Sequence, residues 1–295
     1  MIKRQLKHRE KNIRTPFPSH IITINGIKIH YLDEGEKNWP VILLLHGIPT
    51  WSYTFRNIIP TLKEEKIRCI APDLPGFGNS ECMDSGSYTL KNHRDLIIDF
   101  LKQFKINELY VYGNDWGTVI SLLLMADNSV NIKGTVVSNG YLPVIGQNIP
   151  VHFRMWMWFT RFSPVLPISC IINAGTKTTL SQISKKMFDA PFKNNRKTAV
   201  RRLPNILPVR TWHREAKFVE TTWEKLKDTN TPLLTVFSTN DPYTSEGAKL
   251  LQQTIPGAAE QLHLKLDAKH FITEDAPGPL AQSIVGFVRK YQNDI

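Results

Sequence analysis

The stretch VYGNDWGT at residues 111–118 decides the fold, because it joins an apolar run to a tight turn and then to a helical pattern. The residues before the turn are β-branched and aromatic, as in a buried strand, whereas those after it follow a helical pattern. Gly113 and Gly117 stand on either side of Asp115, and glycines at these places permit a sharp turn of the backbone. Asp115 is therefore expected on a strand-to-helix turn at the carboxyl end of a strand.

On both sides of this turn, short β-rich runs alternate with longer helical patterns. This alternation predicts an α/β fold with a mostly parallel sheet and crossover helices. Eight strands are predicted, at residues 21–24, 27–32, 41–45, 67–71, 109–112, 134–138, 233–238 and 261–266. Helices are predicted at residues 90–104, 118–127, 245–253 and 280–291.

The interval between the sixth and seventh predicted strands is far too long for a single crossover. Residues 143–213 are therefore predicted to form an inserted helical cap, and residues 15–142 and 214–295 to form the core. Residues 1–14 are predicted to be a basic N-terminal arm. A chain of 295 residues with 41% hydrophobic content fits one such domain with an insertion better than several modules.

The net charge of +11 is unevenly distributed along the chain. Residues 143–213 hold eleven Lys and Arg residues against one acid, Asp189, while the rest of the chain beyond the arm is mildly acidic. No nucleic-acid-binding motif accompanies this charge. We expect a solvated basic face on the cap and no nucleic-acid partner.

The sequence lacks the patterns that are typical of metal sites, cofactor sites and membrane-spanning segments. The three cysteines have no CxxC spacing, no metal-ligand rhythm is visible, and no phosphate-binding glycine motif is present, so neither a metal nor a cofactor is expected. The apolar runs are far shorter than the ~20 residues that cross a bilayer, and residues 1–14 lack the apolar stretch of a secretory signal. We expect a cytoplasmic monomer or weak oligomer with no membrane partner.

The pattern at residues 113–117 is that of the G-x-S-x-G nucleophile turn of the α/β-hydrolase fold, with Asp115 in the place of serine. A carboxylate needs no deprotonation, so it can attack an sp³ carbon and form an alkyl ester. The predicted chemistry is displacement at an alkyl carbon rather than acyl transfer. The motif alone leaves open an ordinary turn in which Asp115 caps a helix.

The loop HGIPTW at residues 46–51 follows the third predicted strand, where this fold supplies a backbone N–H for an oxyanion hole. The second N–H comes from the residue after the nucleophile. The candidates are the backbone N–H groups of Ile48 and Trp116. His46 is expected to be structural.

Chain order in this fold is nucleophile, acid, base, which places the base after the last strand. His270 stands there, and a neutral imidazole can activate water. Asp241 follows the seventh strand and is the preferred acid, because Asn139, after the sixth strand, is not an acid. Three further acids near His270 remain alternatives: Asp267, Glu274 and Asp275.

With these features in order, the chain resembles the haloalkane dehalogenases over about residues 15–290. The stretches that carry the resemblance are IPTWSY (48–53), VVSNGYLP (136–143), SPVLP (163–167), FDAPF (188–192) and HFITEDAP (270–277). The resemblance implies an eight-stranded α/β-hydrolase fold with a cap, and hydrolysis of a small halogenated alkane by water. The products would be an alcohol, a halide ion and a proton, formed through an ester on Asp115.

An acid after the seventh strand resembles the first subfamily, in which two tryptophans bind the halide. Indole N–H is a donor without an acceptor, which suits a weakly hydrated anion. The implied pair is Trp116, beside the nucleophile, and Trp156, which stands seven residues before SPVLP. Trp158 is two residues from Trp156, a rotation of about 200° on a helix, so it is expected to face away from the cavity.

Two residues depart from the family pattern. Ile48 stands where Glu or Asn is usual, so a side-chain contact to water or halide is expected to be lost. Lys269 would depress the pKa of His270 if its charge pointed inward. The alternative functions are an epoxide hydrolase, disfavoured because residues 146–212 contain no tyrosine, and a catalytically silent binding protein, which should have lost a triad residue.

Overall fold

The computed structural model describes residues 15–148, 150–195, 197–242 and 244–292, so the predicted arm at 1–14 lies outside the described residues. The eight predicted strands are present as β1 (Ser19–Ile24), β2 (Ile27–Glu34), β3 (Val41–Leu45), β4 (Arg68–Pro72), β5 (Leu109–Asn114), β6 (Ile132–Ser138), β7 (Leu233–Ser238) and β8 (Leu264–Leu266). They form one sheet, which confirms the predicted α/β architecture.

The sheet has the order β1-β2-β4-β3-β5-β6-β7-β8. The first two pairings, β1 with β2 and β2 with β4, are antiparallel, and every later pairing is parallel. The parallel strands therefore end at one common edge of the sheet. The loops that follow β3, β5, β6, β7 and β8 meet at this edge.

Helices cover both faces of the sheet. They are α1 (Ile59–Glu64), α2 (Leu90–Lys102), α3 (Trp116–Met125), α4 (Val151–Phe162), α5 (Ile168–Ala174), α6 (Gln182–Asp189), α7 (Thr198–Arg202), α8 (Ala216–Lys227), α9 (Ser245–Thr254), α10 (Ile272–Asp275) and α11 (Pro277–Tyr291). None of them is both long and apolar enough to cross a bilayer.

The central strand β3 shows how the sequence builds two cores. Its side chains alternate between the faces of the sheet, so Leu43 and Leu45 join the hydrophobic cluster on one face, and Ile42 and Leu44 join the cluster on the other. All five residues of β3 are buried, as expected for a strand covered by helices on both sides.

The elements differ from the predicted ones in two ways. The last strand begins at Leu264 rather than at residue 261, because the backbone N–H of His263 bonds back to the carbonyl of Gln261 (3.0 Å) and closes a turn. Helices α1, α8 and α10 lie outside the predicted ranges.

The predicted cap segment, residues 143–213, contains α4 to α7. The chain then enters α8, whose Trp223 donates from Nε1 to the carbonyl of Pro143 (3.1 Å), so the beginning of the segment is fastened to the helix that follows it. The proposed limits of core and cap stay a prediction from the sequence.

Candidate active site

Asp115 lies on a sharp turn between β5 and α3, with φ +52° and ψ −112°. Both flanking glycines are required by the close approach of the backbone. A Cβ atom on Gly113 would lie 2.4 Å from the carbonyl oxygen of Gly117, and one on Gly117 would lie 1.9 Å from that of Leu45. Only glycine fits at these two positions, and the turn that they allow holds the Asp115 side chain at the sheet edge.

The Asp115 carboxylate has a different partner on each oxygen. The backbone N–H of Ile48 donates to Oδ2 (2.8 Å), and Nε2 of His270 lies 3.5 Å from Oδ1. Trp116 is the first residue of α3, so its backbone N–H is among those that have no partner within the helix. The structure thus brings the predicted base and one predicted oxyanion donor, the N–H of Ile48, into contact with the predicted nucleophile.

His270 also contacts the predicted acid. Its Nδ1 lies 3.2 Å from Oδ2 of Asp241, which follows β7 and is 3% exposed. The hydroxyl of Thr244 donates to the same Oδ2. His270 therefore lies between two carboxylates, one at each ring nitrogen.

The three alternative acids form hydrogen bonds with groups other than the His270 side chain. Asp267 accepts a hydrogen bond from Nζ of Lys177, and Glu274 holds Arg56 through two hydrogen bonds of 2.6 and 2.7 Å. Asp275 accepts from the backbone N–H of Lys177 at 2.8 Å. Of the four candidate acids, Asp241 is the one hydrogen-bonded to His270 within the described part of the chain.

The pKa of His270 is raised to about 10. Burial alone would lower it, but hydrogen bonds to Asp115 and Asp241, together with their negative charge, stabilise the imidazolium more strongly. Lys269 does not impose the depression considered from the sequence, and its Nζ lies 3.5 Å from the carbonyl oxygen of Ala174. His270 is therefore protonated near neutral pH as long as both carboxylates are charged.

Sequence analysis did not identify Asn139 as a functional residue. Its Nδ2 donates to the backbone carbonyl of His270 (2.8 Å) and to Oγ of Ser238 (2.7 Å), and its Oδ1 accepts from the backbone N–H of Ser238 (2.9 Å). Asn139 has a φ of +44°, a conformation that asparagine tolerates better than most residues. An asparagine directly after a strand at the active edge was the available signal.

His46 is structural, as expected. The backbone N–H of Leu74 donates to its Nε2 (2.9 Å), and its Nδ1 lies 2.9 Å from the carbonyl oxygen of Gly47. Burial lowers the pKa of His46, which favours the neutral ring that this pair of contacts requires. His46 thus fastens the Ile48 loop to the loop after β4.

A cavity of about 750 Å³ opens above the Asp115 carboxylate. The predicted site residues that line it are Ile48, Asp115, Trp116, Trp156 and His270, while Asp241 lies behind His270. Most of the lining is apolar, and the Ile48 side chain, 7% exposed, supplies no polar group where Glu or Asn would.

The two cap tryptophans differ in environment. Trp156 is half-buried and lines the cavity, whereas Trp158 is 65% exposed. Nε1 of Trp116 is buried and has no hydrogen-bond acceptor among the described residues. The residue that follows the predicted nucleophile in the chain thus carries a buried indole N–H without an acceptor among the described residues.

The described residues contain no group of three or more His, Cys, Asp or Glu side chains placed to hold a metal ion. One tyrosine, Tyr141, is among the described residues that line the cavity, and its hydroxyl accepts a hydrogen bond from Nε2 of Gln147 (3.2 Å). Tyr141 precedes the tyrosine-free range 146–212 that was considered from the sequence.

The known proteins to which this chain is similar are α/β hydrolases, among them haloalkane dehalogenases. Residues 40–277 match the family model of the alpha/beta hydrolase fold. A haloalkane dehalogenase of Mycobacterium marinum is 34% identical over 279 residues, which cover 92% of this chain and 94% of that protein. A haloalkane dehalogenase of Psychrobacter cryohalolentis is 34% identical over 265 residues, which cover 89% of this chain and 88% of that protein.

Among solved structures, that of a haloalkane dehalogenase from Paraglaciecola agarilytica NO2, described as tetrameric, is similar in fold. It superposes with a TM-score of 0.84 at 23% sequence identity and covers 95% of each chain. A putative ancestral haloalkane dehalogenase gives a TM-score of 0.82 at 22% identity, covering 93% of this chain and 100% of that one.

Proposed function

The chain belongs to the haloalkane dehalogenases of the α/β-hydrolase fold, and on that basis we propose that it hydrolyses the carbon–halogen bond of a haloalkane. The products are an alcohol, a halide ion and a proton. Asp115 is the nucleophile, His270 the base and Asp241 the acid that orients the base. No cofactor takes part in these steps.

In the first step, a carboxylate oxygen of Asp115 attacks the carbon that bears the halogen. A C–O bond forms, the C–X bond breaks, and the halide leaves with the bonding electron pair. The hydrogen bond from Ile48 to Oδ2 helps to hold the carboxylate in its attacking position. The indole N–H groups of Trp116 and Trp156 stabilise the charge that develops on the halogen.

Ester formation then changes the protonation of the base. The ester of Asp115 is neutral, so one of the two charges that raise the pKa of His270 is lost and the imidazolium can release its proton. Neutral His270 takes a proton from water as the water oxygen attacks the ester carbonyl. The N–H groups of Ile48 and Trp116 stabilise the resulting oxyanion.

The tetrahedral intermediate collapses with cleavage of the acyl C–O bond, and the alkoxide takes the proton from His270 to leave as the alcohol. The new Asp115 carboxyl group returns its proton to His270, so the starting pair is restored. Throughout, Asp241 stabilises the imidazolium. The net release is one halide and one proton for each alcohol.

The observation that carries this proposal is that Trp116, whose buried Nε1 has no acceptor among the described residues, lines the same cavity as the aspartate in the nucleophile position. An anion that departs from a carbon under attack by Asp115 needs a donor at this place. Ester hydrolysis by a serine enzyme does not account for an aspartate in the nucleophile position.

The test is to incubate catalytic amounts of the protein with 1-bromobutane and to measure bromide and 1-butanol, with Asp115→Asn as control. We expect equal amounts of the two products from wild type and none from the variant. Diol formation from a terminal epoxide without bromide release would favour an epoxide hydrolase that uses Tyr141. Binding of the bromoalkane without turnover would favour a silent binding protein.

We propose that the protein is cytoplasmic and is a monomer or weak oligomer. We also propose that it has no nucleic-acid partner, because the basic cap carries no recognised nucleic-acid-binding motif. The natural haloalkane is small enough for a cavity of about 750 Å³.

A further inference from the structure

Helix α4 carries an apolar stripe that the rest of the described chain leaves uncovered. Its members are Val151 (60% exposed), Met155 (66%), Trp158 (65%) and Phe162 (60%). The spacing i, i+4, i+7, i+11 places them along a single face of the helix. Val165, just after the helix, continues the apolar surface and is 62% exposed.

Exposure of large apolar side chains is concentrated in the inserted segment. Eleven such residues are exposed among those described, and eight of them lie within residues 143–213. Single exposed apolar residues are ordinary, but a contiguous group marks an interaction surface. The stripe on α4 is such a group, since Trp158 and Phe162 also contact each other, with ring centroids 5.9 Å apart.

The stripe borders the mouth of the cavity on one side. Trp156 and Phe159 line the cavity and are rotated about 70–130° from the centre of the stripe. Met155 belongs to both surfaces, because it lines the cavity and is two-thirds exposed. Whatever binds the stripe therefore lies beside the entrance to the site.

Arginines flank the stripe on its other side. Arg154 and Arg161 are exposed and lie about 70–90° from its centre, on the side opposite to the cavity-lining residues. The Arg161 guanidinium lies 5.3 Å from the ring centroid of Phe162, so charge and apolar surface are adjacent. The whole segment 143–213 holds eleven basic residues and one acid.

The positive charge of this segment favours one of the possible binding partners of the stripe over the others. A symmetric contact between two copies would bring two segments of charge +10 together, at a cost in repulsion. An anionic lipid surface instead offers hydrocarbon to the stripe and negative charge to the arginines. We propose that the outer face of α4 docks on the surface of an anionic phospholipid bilayer, with the helix lying in the interface.

Docking in this way departs from the expectation of no membrane partner, which rested on the lack of a spanning segment. A helix of twelve residues such as α4 is about 18 Å long and does not span, but an interfacial helix needs no spanning length. If the proposed function holds, the cavity mouth would then face the phase in which apolar haloalkanes concentrate. The docking itself is tested without any haloalkane, so either proposal can fail alone.

The experiment is flotation of the purified protein with vesicles of phosphatidylcholine alone or with about 30 mol% phosphatidylglycerol. We expect binding to the anionic vesicles only, weakened as salt is raised. The pair Trp158→Ser with Phe162→Ser should weaken it at least about tenfold, as should the pair Arg154→Gln with Arg161→Gln. The matched control is Leu262→Ser, which removes an 89% exposed apolar side chain outside the cap and should bind like wild type.

Folding of each variant is checked by its circular dichroism and by unchanged hydrolysis of a water-soluble bromoalkanol, since none of the altered residues lines the cavity. Equal binding to both vesicle types, no binding to either, or wild-type binding by the Trp158 and Phe162 pair would overturn the proposal. So would a dimer in sedimentation analysis that the same pair dissociates, because the stripe would then be covered by a second copy.

Discussion

Asn139 donates a hydrogen bond of 2.8 Å to the backbone carbonyl of His270, so the end of β6 holds the residue that lies between the two carboxylates. The same side chain exchanges hydrogen bonds with Ser238 at the end of β7. Asn139 does not line the cavity, so we expect it to act as a positioning residue through the backbone of His270.

Replacing Asn139 by Ala should slow ester hydrolysis more than alkylation, because the displacement step does not require the base. We expect kcat to fall about tenfold or more and the alkyl-enzyme to accumulate, with a loss of about 1–3 kcal/mol in the free energy of unfolding. The control is Gln252→Ala, which removes an amide bonded to Thr235 (2.7 Å), away from His270. Equal slowing of both steps would indicate a structural role alone.

The contacts of Asn139 could not be predicted from the sequence, whereas those residues that belong to a local motif could. Asp115 and Ile48 could be predicted because each follows a strand within a local motif. The partners of Asn139, Ser238 and His270, are 99 and 131 residues away along the chain, and no spacing within the motif encodes such contacts. The eight strands were predictable for the same local reason, since alternation and turn residues act over a few positions.

The exposure of the apolar side chains on the cap could not be predicted from the sequence either. The apolar positions of α4 have a helical spacing that is readable in the sequence, but spacing alone does not tell a covered face from an exposed one. Most tryptophans on a helix pack against a core, and the difference between Trp156 and Trp158 depends on how α4 is oriented over the cavity.

His270→Ala should stop the reaction at the ester, because water then has no base. After exposure to a bromoalkane, intact-protein mass spectrometry should show one added alkyl group, which peptide mapping places on Asp115. Asp115→Asn is the control and should remain unmodified. An unmodified His270→Ala protein that still turns over would contradict the assignment of both residues.

Asp241→Asn should keep the fold but slow ester hydrolysis by about 10²–10⁴, because the amide cannot stabilise the imidazolium. Alkylation of Asp115 should change much less. The matched control is Asp267→Asn, whose side chain is 72% exposed and pairs with Lys177. If steady-state rates of Asp241→Asn stay within about twofold of wild type, the acid lies elsewhere.

The raised pKa of His270 predicts a pH dependence of stability. The folded state binds one more proton than the unfolded state between pH 6.5, the ordinary pKa, and about 10, so stability should fall across this range. In Asp115→Asn one source of the rise is removed, so the pKa should fall and the slope should flatten. NMR titration of the His270 ring, assigned with His270→Gln, together with urea unfolding at several pH values, measures both effects.

A pKa of His270 that is unchanged in Asp115→Asn would contradict the proposed release of the proton on ester formation. Asn is a close mimic here, since it is neutral like the ester and has almost the same shape as Asp. Asp267→Asn again serves as the control, because it removes a negative charge that is paired with Lys177 and should leave the titration of His270 in place.

The last prediction concerns the halide donors. Trp116 offers a buried Nε1 without an acceptor among the described residues, and Trp156 lines the same cavity, whereas Trp158 is 65% exposed on another face of α4. Loss of one N–H donor at the leaving group should cost about 2.7–4 kcal/mol in the displacement step, as for other donors to a developing anion. Trp116→Phe and Trp156→Phe should therefore lose halide binding and slow displacement by about 10²–10³. Trp158→Phe, the matched control, should retain halide binding and the rate of displacement.

Bromide affinity is measured by quenching of tryptophan fluorescence, and displacement by the burst of bromide in a single turnover. If Trp158→Phe loses halide binding and Trp156→Phe keeps it, the second donor is Trp158 and α4 must rotate when the halide binds. If Trp156→Phe and Trp158→Phe both keep halide binding, Trp116 acts without a second donor from the cap.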